Sequence, residues 1–322
     1  MAMTSVCWGL VGCVAVATLG CAGQHAESLT PTRIRVSVGL KGGYFDAIGQ
    51  ALAETLRAEE QNYSVDVQTT SGAVGSIEAI EHGQSDCGYS YANIAYEAFA
   101  SRPPDAPASL KQLRSVALVQ ISPLYFLVGH QSSVRSVADL RGRAVAFGLP
   151  ESGTFRAAMM VLKAYGLGPQ DIRIREESFR DSFASIQQGA LDGMFILSGQ
   201  PSDGVARAAG GGARIVPLVG PEIDRLREQY PFFRPSLISA GTYPAQDTAV
   251  KTVGVETLLL CREDLDAGQV RRVTRAWFIA LNRLVNDGLM SEAVSPKVAS
   301  AVPIPLHSGA ADYYRARQLL PE

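Results

Sequence analysis

The chain has 322 residues, 31 of them acidic and 29 basic, for a formal net charge of −2, and 47% of it is hydrophobic. That is length enough for two domains with sizeable cores. The near-neutral balance, with no basic run and no zinc-finger spacing, excludes a nucleic-acid partner.

Between Val6 and Gly23 no residue carries a charge, and Val, Ala, Leu and Gly dominate. The run is too short and too glycine-rich for a membrane span and reads as the apolar core of a secretory signal. Thr18-Leu19-Gly20-Cys21 resembles a bacterial lipobox, with a small residue before the cysteine. It departs from that pattern in having Thr18 for the usual Leu and in lacking Lys or Arg ahead of the apolar core. Lipid attachment at Cys21 and ordinary cleavage after Ala22 both fit. Residues 1–20 are expected to be a leader and 21–30 a tether. The body is then extracytoplasmic, in the periplasm or on the outer cell surface, and held to the membrane where Cys21 is lipidated.

After the tether, the alternating, β-branched Arg33–Gly39 predicts a strand. Gly42-Gly43-Tyr44-Phe45 is a loop, and Ile48, Leu52 and Leu56 mark one face of a helix. Tyr63–Thr69 is a second strand, and the turn from Ser71 to Ser76 feeds a helix through Ile77 and Ile80. Cys87–Tyr91 is a third strand, followed by a helix over Asn93–Ala100. The proline-rich stretch from Pro103 to Pro107 is a loop. Two apolar strands follow, Leu113–Gln120 and Leu124–Gly129, suited to carrying the chain from one lobe to another.

The stretch from Gly142 to Leu162 is then a buried strand, a Gly/Pro turn and a helix opening on Ser152-Gly153-Thr154. A helix start leaves backbone N–H groups unpaired and carries partial positive charge, so it suits a carboxylate or another small anion. An ordinary helix cap is the competing reading. Phe179–Gln188 is helical, Met194–Leu197 a strand, Ile215–Val219 a strand and Glu222–Gln229 a charged helix. Thr252–Cys261 crosses back, and Val270–Leu289 is an amphipathic helix around Trp277, Leu281 and Leu284.

Strands alternating with helices predict an α/β protein. Two blocks repeat one theme, strand, Gly/Ser turn, helix, Gly-x-x-Asp and strand, with Gly83–Asp86 and Gly189–Asp192 as the matching pieces. Two similar lobes with a site between them follow. In the body, beyond the leader and tether, only Cys87 and Cys261 remain, and they make either one disulfide or two buried thiols.

In order and spacing these elements resemble the TAXI group of TRAP-transporter solute receptors, over about Arg33 to Tyr314. The segments that carry the resemblance are Gly148–Thr154, Gly189–Gly193, Leu140–Val145, Tyr243-Pro244 with Thr252–Val255, and Pro303–Ala310. It implies a type II periplasmic-binding fold with a hinged cleft between two lobes, residues 31–122 with 248–322 and residues 123–247. It also implies capture of a small anionic or zwitterionic ligand, glutamate-like or dicarboxylate, for delivery to a TRAP-type membrane permease. No cofactor, metal or covalent chemistry is required. A sensing or scaffolding receptor acting on a membrane kinase or another protein is the alternative.

Three departures from the group fall in the first lobe. Its usual Thr-Gly-Gly-Ser turn is Thr70-Ser71-Gly72-Ala73 here, with Ser76 where Asn is usual. Its Gly-Thr-Tyr-Tyr loop becomes Gly43-Tyr44-Phe45-Asp46, and Tyr91 replaces a Gln ahead of Asn93. On this reading the second-lobe half of the site is the intact one.

Ser152, Gly153 and Thr154 are the expected anion site, with Glu151 repelling an anion unless it pairs with a ligand amine. Tyr44, Phe45 and Tyr91 are candidate aromatic walls, and Ser71, Ala73 and Ser76 flank the facing helix start. Asn93 offers an amide or caps a helix, and Ser198 and Gly199 follow a strand that opens to the cleft. An enzyme is disfavoured. His25, His82, His130 and His307 are scattered without zinc spacing, and Ser152 is not in a nucleophile elbow. No phosphate-binding loop with its lysine is present.

Overall fold

A computed structural model describes residues 31–101, 112–150 and 152–320. The expected leader, Cys21, the Pro103–Pro107 loop and Glu151 lie outside the described residues. In β1 (Thr32–Val38) the alternation buries Ile34, Val36 and Val38. The chain continues through α1 (Tyr44–Glu59), β2 (Tyr63–Thr69), α2 (Ala73–Glu81), β3 (Cys87–Tyr91) and α3 (Ala92–Ala100) to the long β4 (Leu113–Val128). Next come β5 (Ala144–Ala146), α4 (Gly153–Ala164), β6 (Arg173–Arg175), α5 (Phe179–Gln187), β7 (Gly193–Leu197), α6 (Asp203–Gly210), β8 (Arg214–Val216), α7 (Pro221–Gln229) and β9 (Phe233–Ile238). The return is β10 (Val250–Arg262), then α8 (Ala267–Asn286), α9 (Pro296–Ala299) and α10 (Ser308–Arg315).

The strands order as β2-β1-β3-β10-β4-β7-β5-β6, with β8 beside β4 and β9 beside β10. β1 runs parallel to β2 and β3, and β5 parallel to β6 and β7, while β10 is antiparallel to β3, β4 and β9. Two strands were expected at 113–129, and the structure has one. Up to Pro123 its partner is β10, and from Leu124 onward it pairs with β7 and then β8. Proline has no N–H for a ladder, so it is tolerated where the partner changes. β4 and β10 thus carry the chain between the two half-sheets of a two-lobe α/β fold. β9 was not foreseen, because Pro235 and Arg234 interrupt its apolar pattern, and it is an edge strand paired with β10.

Strand alternation gives the second half-sheet two covered faces. Phe126 and Phe195 stack at 4.6 Å on one side, with Phe147 against Phe195. Tyr125, Leu127, Met194 and Ile196 face the other side, in a separate cluster with Ile186 and Val205. In the first half, Val270, Val273, Trp277, Leu281 and Leu284 form the buried stripe of α8. Trp277 is fully buried and meets the Tyr89 ring edge-on at 5.8 Å. Among the described residues no helix is long and apolar enough to cross a membrane.

The two Gly-x-x-Asp elements occupy matching places. Asp86 Oδ2 accepts from Arg35 N at 2.8 Å while Asp86 N donates to Arg35 O at 2.9 Å. Asp192 Oδ2 accepts from Ala144 N at 2.8 Å while Asp192 N donates to Ala144 O at 2.9 Å. Each aspartate also takes an arginine, Arg35 at 2.7 Å and Arg143 at 3.1 Å. The carboxylate therefore joins the end of a helix–turn to the start of a neighbouring parallel strand in both lobes.

Burial alone would raise the Asp86 carboxyl. The hydrogen bonds and charge of Arg35, with a further bond from Arg262, outweigh it and hold the group below the usual carboxylate range. A depressed folded-state pKa stabilises the fold above the unfolded value, and that contribution is lost as pH falls through the folded one. Asp86→Ala is expected to cost about 2–3 kcal/mol at neutral pH. In denaturant melts the gap to wild type should narrow on acidification below about pH 4. A gap that does not change with pH would remove the ionic account.

Cys87 and Cys261 face each other across β3 and β10, both fully buried, and form a disulfide. Of the two readings open from the sequence, the structure has the bridge, because β10 returns alongside β3 in this register.

Candidate functional site

The ends of β1, β2, β3 and β7 converge on a cavity of about 260 Å³. Its wall holds the residues from which four helices start: Gly43 before α1, Gly72 before α2, Tyr91 before α3 and Ser152 before α4. Three of these helices follow first-half strands and the fourth follows β5. This is where open α/β sheets place their ligands, outside the carboxyl ends of the strands.

Nine of the twelve residues singled out in the sequence line this cavity: Tyr44, Phe45, Ser71, Ala73, Tyr91, Ser152, Gly153, Thr154 and Ser198. The other three stand behind the wall. Ser76 is fully buried with its Oγ 3.2 Å from Thr70 Oγ1. Asn93 is fully buried, and its Nδ2 donates to Gly153 O at 3.4 Å. Gly199 lies against the Tyr44 ring. The wall also contains Leu40, Phe179 and Ile196, which the sequence did not single out as site residues.

Hydrogen bonding divides the helix starts into two kinds. Ser152 Oγ accepts from Phe155 N at 3.1 Å, and its backbone O accepts from Arg156 N, so α4 is capped by its own serine. Thr154 is almost fully buried, and its Oγ1 accepts from Leu197 N at 3.0 Å. Ser152 Oγ also donates to Phe147 O at 3.4 Å, whereas the Thr154 hydroxyl ties α4 to β7 as an acceptor and keeps its own O–H to donate. At α1 and α2 no side chain caps the helix. Gly72 adopts φ 128°, a region only glycine occupies readily, and a Cβ there would meet nothing within 4 Å. The open helix starts, with N–H groups still to be paired, are those of the first half.

The Tyr44 Oη is buried without a hydrogen-bond partner. Burial, with Tyr91 and Tyr89 beside it, raises this phenol well above its ordinary value, so it is a proton donor at any ordinary pH. Among the described residues, none of the cavity wall carries a charge. Asp46, in the first turn of α1, gives its carboxylate to Gly42 N and Gln50 Nε2.

The two halves touch around the cavity. Tyr91 Oη donates to Leu197 O at 2.9 Å, Asn93 reaches Gly153 O, and Arg156 pairs with Glu97. A Cβ on Gly153 would lie 2.4 Å from Tyr91 Cδ2, and one on Gly199 would lie 2.6 Å from Tyr44 Cδ2. These two glycines let second-half backbone sit on first-half rings. Behind them, Tyr125 Oη is 2.7 Å from Tyr243 Oη, which accepts from Ser202 N, and Tyr125 Oη donates to Gly199 O. That pair fixes the loop after β7.

Residues 37–316 match the NMT1-like family. The chain belongs to that family. Among solved structures, this NMT1-like protein is similar to MatC from Rhodopseudomonas palustris with bound malate, at 16% identity over 90% of this chain and 99% of that one, with a TM-score of 0.56. The periplasmic binding protein BugD matches at 13% identity over 90% and 95%, with a TM-score of 0.54. The periplasmic aliphatic sulphonate binding protein SsuA from Escherichia coli matches at 17% identity over 91% and 94%, with a TM-score of 0.53. At such identities the likeness is one of fold, the two-lobe architecture of periplasmic binding proteins.

Proposed function

We propose that this protein is an extracytoplasmic solute receptor that closes two lobes, residues 31–122 with 248–322 and residues 123–247, over a small organic acid or amino acid. One observation carries the reading. A small cavity is walled by the starts of four helices drawn from both halves, with hydroxyls and aromatic rings between them. Such a site binds through helix-start N–H groups and differential affinity for open and closed forms, with no bond made or broken. The fold shared with MatC and SsuA supports it, and the buried Cys87–Cys261 bridge suits an oxidising compartment.

Within the NMT1-like family we assign the chain to the TAXI group of TRAP receptors, on the motifs at Gly148–Thr154, Gly189–Gly193 and Pro303–Ala310. It then hands its ligand to a TRAP-type permease, anchored at Cys21 where the leader is processed as a lipoprotein. Thermal-shift screening of the purified chain against organic acids and amino acids is expected to raise the melting temperature by a few degrees for one chemical class at about a hundredfold excess over Kd. A flat response across the panel would count against a receptor.

A further inference from the structure

Phe179 is the first residue of α5 and lines the cavity. Its position is fixed from two sides. Ser178 caps the helix, with its Oγ accepting from Asp181 N at 3.2 Å. The ring fills the space that a Cβ on Gly148 would need, since that atom would stand 2.6 Å from Phe179 Cζ and 2.9 Å from Cε1. The glycine in the turn before α4 therefore seats an aromatic ring at the cavity. The ring packs on the buried cluster that contains Ile196, itself a wall residue, and keeps part of its surface open. From the first half the wall takes Leu40 and Phe45. Leu40 is 66% exposed, more than any other large apolar side chain among the described residues. A lone exposed leucine is ordinary, but one on the wall of a cavity that also holds a fixed ring has surface for a ligand to cover.

We infer that Phe179 and Leu40 determine specificity by holding the apolar body of the ligand between the two halves, so that the cavity takes a small acid or amino acid with a branched aliphatic body and rejects its polar isostere. The inference rests on the receptor reading above and concerns the body alone, whatever the charge of the head. A methyl group leaves water on meeting Phe179 and Leu40 and covers apolar surface on both. An amide in the same place gives up hydrogen bonds to water that a phenyl ring and an isobutyl group cannot replace. Size agrees. At about 30 Å³ for each water of the liquid, 260 Å³ is room for about nine waters, or a molecule with a comparable number of heavy atoms, which is the size of free leucine.

Calorimetry on the full chain with two isosteric pairs tests this: leucine against asparagine, and isocaproate against succinamate. Within each pair the head is the same, and the body changes only from isopropyl to carboxamide. The apolar member of at least one pair is expected to bind, at least about tenfold more tightly than its amide partner. Phe179→Ala should weaken binding of the apolar member by about tenfold and move the amide by less than about twofold, so that the preference collapses, and Phe179→Leu should restore most of it. Leu40→Ala, at an exposed position, should narrow the preference by about threefold without moving the melting temperature of the free protein. An amide bound as tightly as its apolar isostere would overturn the inference and leave the receptor reading standing. No binding by any of the four would overturn it too, and the thermal-shift panel then decides the receptor reading separately. An equal loss for both members of a pair in Phe179→Ala would show that the ring only supports the fold. Unchanged preference in Leu40→Ala would remove Leu40 from the site.

Discussion

Replacing Gly153 with alanine is expected to hold the two lobes apart and weaken ligand binding by roughly ten- to hundredfold. The added Cβ would stand 2.4 Å from Tyr91 Cδ2 and 3.2 Å from Cε2. No side-chain rotation at position 153 relieves that contact, because a Cβ has none to make. The Tyr91 ring is itself held by its hydroxyl on Leu197 O and by Phe45 at 5.0 Å. Overpacking of this kind costs about 1–3 kcal/mol when both sides are fixed. Here the lobes can part instead, so the cost falls on the closed form and lowers apparent affinity by the fraction still able to close.

The helix itself should not suffer, since alanine is the better helix former at the first position of α4. The melting temperature of the free protein should therefore stay near wild type while affinity falls, and small-angle scattering should report a larger radius of gyration with ligand present. Gly199→Ala should behave alike, through the Tyr44 ring. Gly210→Ala, whose Cβ would meet only Pro244 Cγ at 4.0 Å, is the control. Wild-type affinity in both Gly153→Ala and Gly199→Ala would show that closure does not bring these surfaces together.

The second large effect is on stability. Reducing or deleting the Cys87–Cys261 bridge is expected to cost about 2–5 kcal/mol, because it ties residues 174 apart in sequence and their separation in the unfolded chain is otherwise unrestrained. For a chain of this size that corresponds to a fall in melting temperature of roughly 5–10 °C. The bridge joins β3 to β10, so it links the strand that feeds α3 and the cavity wall to the strand that returns from the second lobe. Paired melts of the oxidised and reduced protein, with the thiol state checked by mass, measure it. Identical melts would mean that the bridge adds nothing to the packing of the strands around it. Cys87→Ala/Cys261→Ala should reproduce the reduced protein, with about 1 kcal/mol more lost for the buried sulfur atoms.

Most of the fold was legible because its signals are local. Ile34, Val36 and Val38 alternate, the α8 stripe repeats at helical spacing, and each Gly-x-x-Asp turn closes a helix and opens a strand. The matched positions of Asp86 and Asp192 were legible for the same reason, as two copies of one local motif, while their bonds to Arg35 N and Ala144 N were not. β4 and β9 were misjudged where proline carries a meaning that depends on the neighbouring strand: Pro123 sits at a change of partner and Pro235 on an edge.

The place of the candidate site was also written in the chain, since nine of the residues chosen from turns and strand ends do meet at one cavity. Which of their atoms remain available was not. Ser152 and Thr154 read as an anion site or as a helix cap, because hydroxyls at a helix start serve a ligand or the backbone equally well. Phe155 N within the turn and Leu197 N on β7, a strand more than 40 residues away in the sequence, each donate to one of these oxygens, a pairing that no local signal shows. The departures in the first lobe read as losses, yet Gly72 and Gly43 leave two helix starts uncapped and facing the cavity. The sequence by itself determined the α/β class, the twofold repeat and the residues gathered at the cleft, because periodicity and turn chemistry act over a few neighbours. Only the tertiary structure decided the disulfide, the glycine contacts across the cleft and the pairing state of each hydroxyl, because a hydrogen bond is settled by whichever distant strand arrives alongside.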